Sequence, residues 1–285
     1  MIEVLNSERF FDVTPYIVFA ILLDEGVFLC SIRTMYRILQ EMGLVRERRL
    51  GHQQKHHPVP QLCATAPNQV WTWDITKLRG EAKGVMYYLY VVLDMFSRLI
   101  VGWHLSKSES AEQASDLFSA CVDAQGVSRE QLTVHSDRGA AMTSGFLSDL
   151  MRELGIGQSF SRPRVSNDNP YVESHFKTLK YRPEYPRRFE SFDAAERYVE
   201  DFVDWYNHQH RHHGIAYLTP AEVHSGKAEV VIQQRQEVMS RVYLSNPKRF
   251  RNRRPMVKSV PTEVWINRPG ENLVVLEEGA IENVA

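Results

Sequence analysis

Val70-Trp71-Thr72-Trp73-Asp74-Ile75-Thr76 alternates with period two. In an extended strand this puts Trp71, Trp73 and Ile75 on one face and Asp74 on the other. The two tryptophans therefore read as core rather than as base-stacking platforms. Downstream, residues 86–93 are a mostly apolar run that fits a central strand, and residues 99–105 fit a third. Short links join the three, as in an antiparallel meander. Ala111, Ala114, Leu117, Phe118, Cys121 and Val122 then recur at helical spacing. Residues 132–136 read as a strand, 144–154 as a helix and 158–161 as a short strand. Another helix opens at Asn169-Pro170, and a long one covers 192–207. Three strands followed by alternating helix and strand predict a mixed α/β domain.

The rest of the 285 residues leaves room for about one further domain. Upstream, Thr14-Pro15 reads as a helix cap with proline at the first helical position, and an apolar stretch follows. Asp24-Glu25-Gly26 ends that helix and Ser31 caps the next. There Ile32, Met35, Tyr36, Leu39 and Met42 form an amphipathic stripe closed by Gly43, opposite Arg33 and Arg37. Two helices with a basic polar face fit a helix-turn-helix reader of DNA. They fit a small helical cap equally well. Residues 46–60 lose periodicity and read as a basic linker.

Net charge is −1, so the chain as a whole is no basic nucleic-acid binder. The charge is nonetheless segregated. Lys248, Arg249, Arg251, Arg253, Arg254 and Lys258 occur with no acid among them, whereas the tail from 261 on is acidic. Such a basic run suits the phosphate backbone of DNA. Val264-Trp265-Ile266 and residues 273–276 read as two strands of a small terminal module. Three scattered cysteines exclude a disulfide framework, and no apolar stretch near the start is long enough for a membrane span. The expected setting is a reducing bacterial cytoplasm, with no membrane partner and with association to the nucleoid through bound DNA.

Asp74 lies in the first strand of the α/β region, Asp137 directly follows the strand 132–136, and Glu173 lies early in the helix from Pro170. Acidic oxygens on rigid elements are what two-metal phosphoryl transfer needs. Among 35 Asp and Glu residues, any one of these taken singly is better read as an ordinary surface or turn residue. Asp168 and Glu184 stand as substitutes for Glu173.

The combination is more specific. Trp71-Thr72-Trp73-Asp74-Ile75-Thr76, His135-Ser136-Asp137-Arg138-Gly139 and Asp168-Asn169-Pro170-Tyr171-Val172-Glu173-Ser174 resemble the integrase-core transposases of the insertion-sequence-3 family, second-frame type. Thirty-five residues separate Asp137 from Glu173, the spacing typical of that family. Tyr206-Asn207, Arg211, His213 and Thr219-Pro220 resemble the motif that closes its core. The resemblance runs from about residue 5 to 269.

It implies a ribonuclease H-like core with a mixed five-stranded sheet and flanking helices. A helix-turn-helix would precede it and a small basic and β segment would follow. The expected divisions are 1–44 for the helix-turn-helix, 45–66 for a basic linker, 67–226 for the catalytic core and 227–285 for a helix, basic segment and β module. The resemblance also implies that Asp74, Asp137 and Glu173 hold two Mg²⁺ ions, with Mn²⁺ able to substitute. Water would cleave element ends, and the freed 3′ hydroxyl would attack a second phosphodiester. Lys180, two helical turns after Glu173, and Lys177 would contact DNA, together with Arg33, Arg37 and the basic run. The partners implied are terminal repeats and target DNA, an upstream first-frame protein or fusion, and further copies of the chain on DNA.

Ala140-Ala141-Met142 departs from the family, which often has polar and aromatic residues there. The upstream coiled coil that the first-frame protein supplies is not seen, nor is the His/Cys zinc module of retroviral integrases. His208, His210, His212 and His213 lack a clean metal-ligand spacing and read as a polar helix end near DNA. Two other functions compete with the transposase: a catalytically silent DNA-binding regulator, and a general nuclease such as a ribonuclease H.

Overall fold

The computed structural model describes residues 1–270 apart from Asn6, Glu8, 11–12, 42–57, Arg164 and 166–167. It divides into two compact units, Met1–His56 and His57–Ala285. The first contains α1 (Ile2–Leu5), α2 (Pro15–Asp24) and α3 (Ile32–Glu41). The Thr14 hydroxyl accepts from the Ile17 N–H and Pro15 takes the first helical position, as the sequence predicts. Ser31 Oγ accepts from the Thr34 N–H at 3.3 Å and so caps α3. Leu5, Phe10, Val18, Leu22 and Met35 form the unit's core. The stripe on α3 is narrower than its spacing suggests. Met35 is buried and Ile32 and Leu39 are half-buried, but Tyr36 is exposed, edge-on to Tyr16. Met42, Gly43 and linker residues 46–57 lie outside the described residues.

The second unit runs β1 (Leu62–Ala64), β2 (Val70–Arg79), β3 (Met86–Asp94), β4 (Ile100–Ser106), α4 (Ala111–Gln125), β5 (Thr133–Ser136), α5 (Gly145–Leu154), β6 (Gly157–Phe160), α6 (Pro170–Lys180), α7 (Phe192–His208), α8 (Pro220–His224), α9 (Ala228–Ser245) and β7 (Val264–Ile266). Five strands form one sheet in the order β4-β3-β2-β5-β6. β2, β3 and β4 are the antiparallel meander, while β5 and β6 add parallel to β2. This mixed sheet between helices is the ribonuclease H-like arrangement.

Helices cover both faces of the sheet. Trp71 and Trp73 pack with Phe118, Cys121, Leu147 and Met151 of α4 and α5. Trp73 meets Phe118 edge to face at 5.2 Å, a favoured aromatic geometry. Gly102 lets α4 approach β4, because a Cβ there would run into the Cys121 sulfur. On the other face Leu78, Leu89, Val91 and Leu93 pack against Val172, Phe176, Val199 and Phe202 of α6 and α7. The period-two pattern of β2 therefore separates two buried layers rather than core from solvent, and Asp74 lies on the side of α6. Asn207 locks α7 to the edge strand: its amide accepts from Ile100 N–H at 2.9 Å and donates to Ile100 O at 3.1 Å.

One expectation needs correcting. Val264–Ile266 is a strand, but its partner is β1, with Cys63 opposite Trp265. Residues 62–64, expected to be linker, thus pair with a segment 200 positions away; residues 273–276 lie outside the described residues. Among the described residues no helix is long and apolar enough to cross a membrane.

Candidate active site

The parallel register of the sheet brings the first two acids together. Trp73 on β2 pairs with Ser136 on β5, and Ser136 pairs with Phe160 on β6. One residue further along each strand stand Asp74, Asp137 and Ser161. Neighbouring strands lie about 4.8 Å apart, so these three side chains share one sheet end. The Ser161 hydroxyl donates to Asp137 Oδ1 at 2.6 Å. In α/β sheets this carboxyl end is where ligands settle.

Glu173 arrives from above the sheet in the first turn of α6. Its helix is pinned where the two acids are. Asn169 Nδ2 donates to Trp73 O at 3.4 Å, and His135 Nε2 donates to Asp168 O at 2.8 Å. Asp168 is wholly buried, and its carboxylate accepts two bonds from the Arg162 side chain, both 2.9 Å, and one from Asn267 at 2.8 Å. Burial alone would raise the Asp168 carboxyl, yet Arg162 and Asn267 carry it down to about 2. Asp168 is thereby committed to holding the loop before α6. Glu184 is exposed and pairs with Arg182 at 3.1 Å. Neither substitute for Glu173 lines the cavity described next.

That cavity, of about 590 Å³, is lined by Asp74, Asp137 and Glu173, with Glu109, Arg138 and Ser161. Burial pushes Asp74 up to about 7; the Ile75 N–H opposes this, and the charges of Asp137, Glu173 and Glu109 add to it. Glu173 is also raised, by burial and then by Asp137, against Lys177. Asp74 accepts only from its neighbour's N–H among the bonds described, at 2.8 Å. Carboxylates such as these are the donors that Mg²⁺ takes, with waters and phosphate oxygens completing its shell. The carboxylates share the cavity without converging. Among the described residues no three His, Cys, Asp or Glu side chains are gathered closely enough to hold a metal ion. Glu109, just before α4, is a fourth acid that sequence spacing does not single out; only the folded loop brings it to the rim.

Lys180 is half-buried and donates to Thr76 Oγ1 at 2.6 Å, two residues from Asp74 on the same face of β2. Lys177 is exposed one turn earlier. Arg33 and Arg37 are exposed on α3, Arg37 lying 3.8 Å from Glu41. Lys248, Arg249, Arg251, Arg253, Arg254 and Lys258 are all exposed, and Lys258 also donates to His213 O at 2.9 Å. Ala141 and Met142 are buried, so the departure at 140–142 is mostly packing. The histidine run divides. His208 and His213 are exposed, but His210 and His212 turn inward, their rings 4.4 Å apart against Tyr206. That pair belongs to an aromatic cluster with buried His175 rather than to a solvent-facing helix end.

Two family profiles, both described as integrase core domain, match residues 64–166 and 154–220. The chain is 35% identical over 162 residues to the transposase for insertion sequence element IS904 of Lactococcus lactis, an alignment covering 56% of this chain and 62% of that protein. It is 31% identical over 160 residues to the transposase InsF for insertion sequence IS3A of Escherichia coli, covering 56% and 54%. It thus spans between half and two thirds of the length of these relatives. Among solved structures, the HTLV-2 integrase catalytic core domain in complex with magnesium aligns at 18% identity and a TM-score of 0.41, covering 56% of this chain and 97% of that one. The first profile covers the strand that carries Asp74 and the strand that Asp137 follows, and the second the helix that carries Glu173, so residues 64–220 are an integrase core domain similar to that of these insertion-sequence transposases.

Proposed function

We propose that the chain cleaves DNA at the ends of an insertion sequence and transfers the resulting 3′ ends to new DNA. Asp74, Asp137 and Glu173 are the residues that would hold two divalent ions, Mg²⁺ by preference and Mn²⁺ in its place. Such ions, when bound, activate the attacking oxygen and stabilise the leaving one. The observation that carries this reading is the register that sets Asp74 beside Asp137, with Glu173 lining the same cavity from a helix whose start is tied down by Asn169 and His135. Water is the nucleophile in cleavage: its oxygen bonds to phosphorus as the 3′ oxygen leaves. In transfer that 3′ hydroxyl takes the place of water. Ser161 orients Asp137 through their hydrogen bond, and Arg162 fixes the cavity wall through Asp168.

The same proposal assigns residues 1–44 to a helix-turn-helix that reads DNA through Arg33 and Arg37, and 45–66 to a linker. It assigns 67–226 to the catalytic core and 227–285 to a tail whose basic run grips phosphates. Lys177 and Lys180 hold DNA beside the acids. Further copies of the chain assemble on the two element ends, and a first-frame protein, as partner or fusion, sharpens recognition of those ends. The test is to incubate the chain, alone and fused to the first-frame protein, with labelled terminal-repeat duplex in Mg²⁺. Nicking at the 3′ end of the repeat is the expected result. A chain that binds the repeat in Mg²⁺ and Mn²⁺ but never nicks it is instead a silent regulator. Cleavage confined to RNA–DNA hybrids would make it a ribonuclease H.

A further inference from the structure

A second cavity, of about 360 Å³, opens beyond Lys180 and is lined by Lys77, Arg79, Arg187 and Lys180 with Met86 and Tyr185. It arises from how the chain returns after α6. The Phe189 N–H donates to Arg79 O at 2.9 Å, and Arg188 donates to the carbonyls of Gly80 and Ala82 at 3.1 and 2.7 Å. These bonds stitch the loop to the end of β2 and set Arg187 alongside Arg79. Lys77 and Arg79 alternate with buried Leu78, so they stand on the other side of β2 from Asp74, and both are exposed where the strand ends.

Four cations thus line one concavity, and among the described residues none forms an ion pair with a carboxylate. Lys77 is held over the Tyr88 ring at 5.4 Å instead. Lys180 is lowered by burial, with Asp74 opposing and Arg79 adding to the effect. Like charges gathered without an ion-paired carboxylate call for an anion, and Arg side chains favour phosphate oxygens. A third cavity, lined by Glu173, Phe176, Lys177, Lys180 and Tyr181, shares Glu173 with the catalytic cavity and Lys180 with the basic one. The three cavities therefore adjoin in series, from the acids past residues 173, 177 and 180 of α6 to the end of β2.

We infer that Lys77, Arg79 and Arg187, continuing from Lys180, bind the phosphodiester backbone of the DNA strand as it leaves the catalytic cavity. This deepens the reading of the acidic cavity as a DNA-cleaving site and rests on it for the direction of the strand. It adds a phosphate site built from β2 and the loop after α6, away from the helix-turn-helix and the basic tail.

The test compares two charge-matched double variants of the full chain. Arg79→Gln with Arg187→Gln empties the cavity of two cations. Arg129→Gln with Arg152→Gln removes two exposed arginines next to α5 that line none of the three cavities. Binding to fluorescent terminal-repeat duplex and to a mixed-sequence single strand is titrated across salt, with melting curves to verify folding. Each neutralised phosphate contributes about 0.9 to the log–log slope on duplex and about 0.7 on single strands. The first variant should therefore lower the slope by about 1.8 and about 1.4, and the second should keep the wild-type slope. Unchanged slopes in both variants, or equal reductions in both, would overturn the assignment. Lys77→Gln, at an exposed strand position, repeats the comparison for one phosphate should the first variant fold poorly. A wild-type chain that binds but does not nick would sink the cleavage reading while leaving this comparison intact.

Discussion

Asp74 is held where both burial and neighbouring charge oppose its ionisation, which raises its carboxyl to about 7. A folded-state pKa above the unfolded one means the ionised group works against folding. Its stability contribution is fully present at acid pH and is lost as pH rises through about 7. Asp74→Asn should therefore match wild type near pH 4 and exceed it by about 2–4 kcal/mol above pH 7, since one unit of pKa is worth about 1.4 kcal/mol. Urea melts across that range check this, and a gain independent of pH would contradict it. Asp168 has the opposite sign. Its carboxyl is lowered to about 2, so its contribution is present above the unfolded value near 4 and fades toward pH 2. Asp168→Asn leaves Arg162 without its partner and should cost roughly 3 kcal/mol at neutral pH, with the deficit shrinking in acid. Equal deficits at neutral pH and near pH 2 would refute that role. At this scale the sequence is ambiguous by nature. Asp168 and Glu173 stand five positions apart with the same chemistry, and only the position of Arg162 in space separates a structural carboxylate from one facing the cavity.

Elements are more legible than single residues where their signals are local. The tryptophan alternation, the caps at Thr14 and Ser31 and the proline opening α6 all depend on neighbours within a few positions, and each element lies where they place it. The pairing of β1 with β7 depends on residues 200 positions apart, and nothing in three-residue strands announces a partner. Glu109 is similar: its loop has no periodicity, and only the closed fold makes it an acid of the cavity rim. His210 and His212 depart from the expected polar helix end because a run of polar types hides their packing on Tyr206. Two predictions belong to elements. Asn207→Ala removes both bonds that tie α7 to the Ile100 backbone and leaves buried groups unsatisfied, which should cost about 2–3 kcal/mol in a urea melt. A cost under about 0.5 kcal/mol would mean that packing alone holds α7. On α3, Arg33→Ala with Arg37→Ala should weaken binding to terminal-repeat DNA at least tenfold if either reads a base edge, an interaction worth roughly 1–3 kcal/mol. Gel-shift affinity equal to wild type would favour the helical cap.

For the whole molecule, the net charge of −1 conceals a division of labour. Acids gather at one sheet end, cations follow α6, and a further basic run, exposed at Lys248, Arg249, Arg251, Arg253 and Arg254, lies near the end of the chain. Neutralising those five should weaken binding to all DNA sequences alike and reduce the salt slope by up to about 0.9 for every phosphate no longer neutralised. An unchanged slope would make the run a solvated loop. The central claim is that one carboxylate trio serves both chemical steps. It is tested most directly by following nicking of labelled terminal-repeat DNA and joining of pre-nicked ends for Asp74→Asn, Asp137→Asn and Glu173→Gln, in Mg²⁺ and in Mn²⁺. Each substitution keeps shape and removes a charge that retains the metal, so both steps should fall together, by at least about a hundredfold, while DNA binding persists. A Glu173→Gln chain that nicks and joins at near wild-type rates would contradict the account.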